Sequence, residues 1–323
     1  MDDSEFDVIE QYFLPLGEWS LGDTRVGPGD DCAVVQVPDS RQLCISTDSF
    51  IEGVHFPTGA NGQLVARRSM AAAISDLAAM GATPFGMTGA LTLVAVSAPW
   101  LKQFSSVVAD LIKRWQMPLL GGNLSRGSEL SVTWTVMGLV EPGRYLLRSG
   151  AQADDDIYIS GYPGRAGYAL AGVLQGREVA ANLEKHYSHP TPRLELGKLI
   201  NGLASAAIDV SDGLLADLQH LLTASGVGAR IDLASLSDDV ELFAACGQAD
   251  GVRLALTAGD DYEVCFTAPI EQRKVLKQIS EQLQLPLTRI GKIIQSKVVE
   301  FENVPRQFDP TTLTAQPGYR HFK

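Results

Sequence analysis

No run of 18 or more apolar residues occurs in the 323-residue chain, which excludes a membrane-spanning helix of ordinary length. Cysteine is scarce. Cys32, Cys44, Cys246 and Cys265 are the only four, and no two have CxxC spacing. That excludes a disulfide scaffold and a zinc ribbon, and the thiols read as small buried hydrophobes in a reducing compartment. The five histidines are scattered and form no zinc pattern. Positive charge is also short: 26 Lys and Arg against 38 Asp and Glu leave a net −12. A chain this acidic repels a phosphate backbone, so nucleic acid is not an expected partner. If it binds phosphates at all, metal ions should stand between. The opening Met1-Asp2-Asp3-Ser4-Glu5 is acidic and has no apolar segment to read as a secretory signal, so a cytoplasmic protein is expected.

What is present suits two folded domains. Hydrophobic residues make up 45% and charged residues 20%, which excludes a disordered or collagen-like chain. At roughly 150 residues per domain the length suggests two. Apolar spacing predicts a helix over 5–13, strands over 33–37 and 43–49, and an Ala-rich helix over 63–80 that Gly81 and Pro84 stop. A strand over 87–96, a helix over 98–115 and a long strand over 129–140 follow. The pattern breaks at Glu141-Pro142-Gly143-Arg144, and the domain boundary is expected within 141–155. Beyond it a strand begins at Ile157-Tyr158-Ile159. Helices are then expected over 165–175, 193–203, 213–224, 235–246 and 270–283, with strands over 206–210, 228–232, 262–267 and 287–294. No internal repeat or low-complexity tract is evident.

The chemistry-bearing residues are aspartates at strand ends and turns. They fall in five places: Gly29-Asp30-Asp31, Ser46-Thr47-Asp48, Ser75-Asp76, Asp209-Val210-Ser211-Asp212-Gly213 and Gly259-Asp260-Asp261. Each has an ordinary reading. Asp after Gly closes turns. Ser211 or Asp212 caps a helix. Asp76, between Ala71-Ala72-Ala73-Ile74 and Leu77-Ala78-Ala79-Met80, either lies on a solvated helix face or meets a partner or metal, since an unpaired buried charge is very costly. Together, oxygen ligands without His or Cys suit a hard cation, Mg²⁺ above all. The stretch Gly121-Gly122-Asn123-Leu124-Ser125-Arg126-Gly127 reads as a Gly-rich turn, which is either plain or a phosphate cradle, and it is not a Walker A loop. Arg148 suits a phosphate or a surface carboxylate equally.

In this order the clusters resemble the thiamine-monophosphate kinase family, within the superfamily of aminoimidazole ribonucleotide synthetase. The matching stretches are Gly29-Asp30-Asp31-Cys32-Ala33, Ser46-Thr47-Asp48, Gly53-Val54-His55-Phe56, Ser75-Asp76-Leu77-Ala78-Ala79-Met80-Gly81-Ala82 and the Gly121-Gly122 pair. They continue with Arg148-Ser149-Gly150, Asp209 to Leu214, Gly259-Asp260-Asp261-Tyr262-Glu263 and Gly318-Tyr319-Arg320-His321-Phe322. The resemblance implies an α+β, two-domain aminoimidazole ribonucleotide synthetase-like fold. Residues 1–145 would be the ATP- and Mg²⁺-binding half, which forms a β-barrel with its twin in a homodimer. Residues 146–323 would be a second α+β domain. It implies phosphorylation of thiamine monophosphate by ATP, by direct in-line transfer.

By the same resemblance, Asp31, Ser46, Thr47, Asp48, Asp76, Asn123, Asp209 and Asp212 would hold Mg²⁺. Gly122, Asn123, Arg148 and Ser211 would contact ATP, and His55, Asp260 and Tyr319 the thiamine monophosphate. No catalytic base is implied, because the acceptor is an ionised phosphate oxygen. Three positions depart from the family pattern: Asn123 replaces an Asp, Asp260 replaces a Glu, and Pro28-Gly29 replaces an aliphatic residue before the first cluster. Rival activities within the superfamily fit less well. A selenophosphate synthetase needs a reactive Cys, which residues 1–31 lack, and the hydrogenase maturation protein needs a C-terminal Cys where Phe322-Lys323 stands. A nucleotide-binding paralogue without turnover is the non-enzyme alternative.

Overall fold

The segment Ser131–Val140 alternates. Val132, Trp134, Val136 and Val140 are buried, while Ser131, Thr133, Thr135, Met137 and Leu139 stay half-exposed. Such a period of two makes a strand with one face in the core. The computed structural model describes residues 5–17, 24–28, 31–311, 313 and 318–319. Its contacts divide the chain into two units, Met1–Leu77 with Ala82–Gly143, and Ala78–Gly81 with Arg144–Lys323.

In the first unit, α1 (Glu5–Val8) runs through a π-helical turn, Ile9–Phe13, into α2 (Leu14–Gly17). β1 (Thr24–Val26) and β2 (Val34–Val35) form a small antiparallel ladder. The main sheet holds β3 (Gln42–Ile51), β4 (Thr83–Leu93), β5 (Leu119–Arg126) and β6 (Ser131–Val140), in the order β3-β6-β4-β5. Two helices pack on one side of it, α3 (Gly62–Ala79) and α4 (Ala98–Trp115). Trp134 Nε1 on β6 donates to Ser69 Oγ of α3 at 2.9 Å, and its ring stacks on Phe104 of α4. Most of α3 is buried, as expected of a helix rich in apolar and small residues; Arg68 is the charged exception in its core. The other sheet face carries Leu43, Ile45, Thr47 and Ser49 of β3 opposite Leu139, Met137, Thr135 and Thr133 of β6. Ile45 is 62% exposed there. Hydroxyl pairs cross this face, Thr47 with Thr135 at 3.0 Å and Ser49 with Thr133 at 2.7 Å.

The second unit is a six-stranded mixed sheet. Its strands are β7 (Asp156–Ser160), β8 (Ala206–Val210), β9 (Gly228–Asp232), β10 (Glu263–Ala268), β11 (Leu287–Ile294) and β12 (Val299–Glu302), in the order β12-β9-β11-β7-β10-β8. Helices α5 (Arg165–Leu174), α6 (Ala181–Ser188), α7 (Leu194–Ile200), α8 (Leu214–Ser225), α9 (Val240–Cys246), α10 (Gln248–Thr257) and α11 (Arg273–Leu283) complete it. Leu214, Leu218, Leu221 and Leu222 of α8 enter one core with Ile208, Val210, Ile231 and Ile293 of the sheet.

Several expectations change. Residues 119–126 are an edge strand rather than a turn. Their backbone pairs in parallel with β4, and a Cβ on Gly122 would stand 2.2 Å from Gly89 O, so glycine is what permits the approach. Pro84 lies within β4, near its start, instead of only ending the helix before it. The region 235–246 splits into a 3₁₀ segment, Leu233–Asp238, and α9, while α6, α10 and β12 form where no element was expected. Cys265 is buried as expected, but Cys32 is exposed. Both main sheets are open, and among the described residues none closes into a barrel.

Candidate active site

The first unit brings Ser46, Asp48 and Asp76 together. Alternation along β3 turns Ser46 and Asp48 to the helix side, where Asp76 of α3 accepts a short hydrogen bond from Ser46 Oγ. Asp76 is half-buried, so it is not a solvated helix face. Burial, and after it the charge of Asp76, push the Asp48 carboxyl up to about 6. Two close carboxylates under partial burial are poorly placed without a cation. The hydroxyl of Thr47 points to the opposite face, against Thr135, so only its backbone can serve the pair. No three carboxylate, imidazole or thiol groups converge as a ready-made metal site among the described residues. Mg²⁺ is commonly held by one or two carboxylates plus substrate phosphates, and an all-oxygen pair fits that donor set.

His55 sits in the turn after β3. Its Nδ1 accepts the Ile51 N–H at 3.0 Å, and its ring meets Phe50 edge-on. That bond fixes the orientation of the imidazole. A cavity of about 530 Å³ also lies in this unit, lined by Phe6, Ile9 and Phe13 of the N-terminal helix, Gly121, Gly122 and Asn123 of β5, and by Asp31, Phe104 and Trp134. Asp31 and Asn123 are thus brought to one cavity. Gly29 and Asp30 lie outside the described residues.

In the second unit, three loops meet. Asp209 is the penultimate residue of β8, at 7% exposure, and Ser211, Asp212 and Gly213 lead into α8. Asp260 N–H donates to Ser211 O at 2.9 Å, Tyr262 N–H to Val210 O at 2.8 Å and Tyr319 N–H to Asp212 O at 2.9 Å. The expected positions Asp209, Ser211, Asp212, Asp260 and Tyr319 are therefore neighbours. Asp260 and Tyr262 both have positive φ, 70° and 51°. Such backbone is strained for non-glycine residues and marks segments held by their surroundings. Tyr262 OH donates to Asp260 Oδ1 at 3.0 Å. Asp261 instead turns inward, its Oδ2 accepting the Gly164 N–H at 2.7 Å at the start of α5; burial pushes its carboxyl well up. Glu263 pairs with Arg193 and accepts from Ser160 Oγ at 2.5 Å. Arg148 is exposed. The tail residues Arg320, His321 and Phe322 lie outside the described residues.

One residue of this neighbourhood escapes sequence reasoning. Asp217, 4% exposed in the first turn of α8, accepts the N–H groups of Ser211, Asp212 and Gly213 on its Oδ2 at 3.0, 3.0 and 3.2 Å. Burial and the charge of Asp212 push its carboxyl up to about 7, against the pull of those three donors. An Asp in a first helical turn is common, so nothing in the sequence distinguishes it.

Comparison with known proteins places the chain in a family. The AIR synthase related protein N-terminal domain matches residues 29–140, and the C-terminal domain of the same family matches 152–302. The thiamine-monophosphate kinase of Salmonella typhimurium is 41% identical over 324 aligned residues, covering 98% of each chain. The crystal structure of thiamine-monophosphate kinase from Stenotrophomonas maltophilia superposes with a TM-score of 0.85 at 38% identity, covering 94% of this chain and 98% of that one. AaThiL complexed with AMPPCP and TMP superposes at 0.77 with 27% identity, covering 98% and 97%.

Proposed function

The chain belongs to the thiamine-monophosphate kinase family of AIR synthase related proteins, and from that membership we propose how its residues carry the reaction. It transfers a phosphoryl group from ATP to thiamine monophosphate, giving thiamine diphosphate. In our reading the transfer is direct and in-line. The acceptor is a phosphate oxygen already ionised at neutral pH, so no side chain need remove a proton. The protein's task is to place two anions and to offset their charge, as is usual in phosphoryl transfer.

The observation that carries this reading is the Asp48–Asp76 pair, braced by Ser46. It supports Mg²⁺ binding in the first unit, to which we add Asp31, Thr47 and Asn123; in the second unit we assign Asp209 and Asp212 as Mg²⁺ ligands. Bound there, Mg²⁺ would neutralise phosphate charge and align donor with acceptor. Gly122, Asn123, Arg148 and Ser211 bind ATP in this proposal, and the apolar cavity beside Gly122 takes its base. Arg148 supplies a positive charge toward the phosphates of ATP. His55, Asp260 and Tyr319 hold thiamine monophosphate. Asp260 is one methylene shorter than a Glu, and its positive φ and the Tyr262 bond fix where its carboxylate ends.

We assign dimerisation to the first unit, together with the share of ATP and Mg²⁺ binding carried by Asp31, Ser46, Thr47, Asp48, Asp76, Gly122 and Asn123. Its open sheet face, with Leu43 and Ile45 exposed, supports a homodimer closed into a shared barrel. A cytoplasmic location suits the four unpaired thiols; no described helix is long and apolar enough to cross a membrane. Incubating the protein with ATP, MgCl₂ and thiamine monophosphate tests the reading: mass spectrometry should show thiamine diphosphate and ADP in equal amounts. ADP without thiamine diphosphate, or neither product, refutes it.

A further inference from the structure

Three consecutive peptide groups in the second unit are held on both sides. The group joining Val210 and Ser211 accepts from Tyr262 N–H through its carbonyl and donates to Asp217 through its N–H. The next, joining Ser211 and Asp212, accepts from Asp260 N–H and donates to the same carboxylate oxygen. The third, joining Asp212 and Gly213, accepts from Tyr319 N–H and again donates to Asp217. Close packing leaves the carbonyl side no slack. A Cβ on Gly259 would stand 2.4 Å from Ser211 O, and one on Gly318 would stand 2.5 Å from Asp212 O. Gly213, at φ 127°, would press a Cβ against Thr257 O at 2.8 Å.

We propose that Asp217 is a positioning residue for both substrates. Resting on the kinase reading above, it orients the loop bearing Asp209, Ser211 and Asp212, and through that loop's carbonyls it orients Asp260 and Tyr319. A single buried oxygen accepting three donors sets the direction of three peptide planes at once. Those planes are the seats on which the other two loops dock. Removing the oxygen leaves three N–H groups without their acceptor, that of Gly213 fully buried, which favours rotation of the peptides toward other partners. The rotation would displace both the residues assigned to ATP and those assigned to thiamine monophosphate. Asp217 itself touches neither substrate in this account.

The proposal rests on the position of one acceptor oxygen, and substitutions separate position from charge. Asp217→Asn keeps an acceptor at the same reach, and Asp217→Glu keeps the charge but moves the oxygen by a methylene. Asp217→Ala removes both. In the full chain, Asp217→Ala and Asp217→Glu should each raise the KM for ATP and for thiamine monophosphate roughly tenfold or more, whereas Asp217→Asn should stay within about threefold of wild type. Hydrogen exchange of the ligand-free protein should speed up in peptides covering 210–213, 259–262 and 318–319 for the Ala and Glu variants only. The reverse order, with Glu near wild type and Asn impaired, overturns the proposal. So do wild-type KM values in a variant whose only change is a lower Tm. Should Asp217→Ala not fold, the Glu and Asn pair decides alone. The exchange measurement needs no substrate, so a wild-type protein that made no thiamine diphosphate would sink the kinase reading while the coupling of the three loops was still decided.

Discussion

Replacing Asp76 by Asn should make the metal-free protein more stable and the enzyme inactive. Asp48 rises from 3.8 to about 6, with burial as the larger cause and the Asp76 charge as the second. A rise of that size corresponds to about 3 kcal/mol. The minor share belongs to Asp76, and partial solvent access screens it, which leaves about 1 kcal/mol. The sign follows from linkage. A carboxyl raised on folding stabilises below its unfolded value near 4, and that contribution is lost as pH rises through about 6. At pH 7.5 in EDTA, Asp76→Asn should therefore melt about 2–4 °C above wild type. At pH 4 the difference should vanish. The amide introduced by Asp76→Asn can still accept the Ser46 bond, so the local packing survives. Adding Mg²⁺ should raise the wild-type Tm and leave the variant unmoved, while thiamine diphosphate formation by the variant falls to background. Calorimetry at the two pH values, with and without Mg²⁺, gives the thermal shifts, and product mass spectrometry gives turnover. Unchanged or lower stability in EDTA, or wild-type turnover, would refute the reasoning.

His186 is pushed down to about 4 by burial and then by Arg165, Arg193 and Lys185, so it folds neutral. Stability should thus fall as pH drops from about 6.5 to about 4, by at most about 3 kcal/mol, and denaturant titrations of His186→Gln should lack that fall. Asn123→Asp adds a charge at the cavity beside Gly122, and Mg²⁺ affinity measured from the metal dependence of turnover should hold or rise; loss of turnover would give Asn123 another role. Ile45→Asp puts a carboxylate on the open sheet face, and sedimentation should show the proposed dimer weakened with the monomer still folded.

Much of the architecture was legible because local pattern and final environment agree. Ala98–Trp115 buries Leu101, Phe104, Val108 and Ile112 at helical spacing, and its bounds match expectation. Ala206–Val210, Gly228–Asp232 and Leu287–Ile294 match as well, since short apolar runs between turn residues leave little else. β5 was not legible. Gly121-Gly122-Asn123 has turn composition, and only pairing with β4, some thirty residues away, makes it a strand. In the site, the aspartate clusters stood out because acidic residues interrupt apolar stretches. The division of labour within Gly259-Asp260-Asp261 did not. Asp260 borders the loop at 211 while Asp261 turns inward to cap α5, a difference set by a positive φ that no residue type announces. Asp217 was silent for a related reason, as its partners are backbone groups.

The peptide planes at 210–213 join their neighbours entirely through main-chain atoms, apart from one carboxylate. Side chains at the rim are spectators to that joinery. A lineage could exchange Ser211 or Asp260 for other functional groups and inherit the same frame. Inserting or deleting one residue in the stretch, however, would slide every donor past its acceptor. Variation there should accordingly appear as changes of letter and almost never as changes of length.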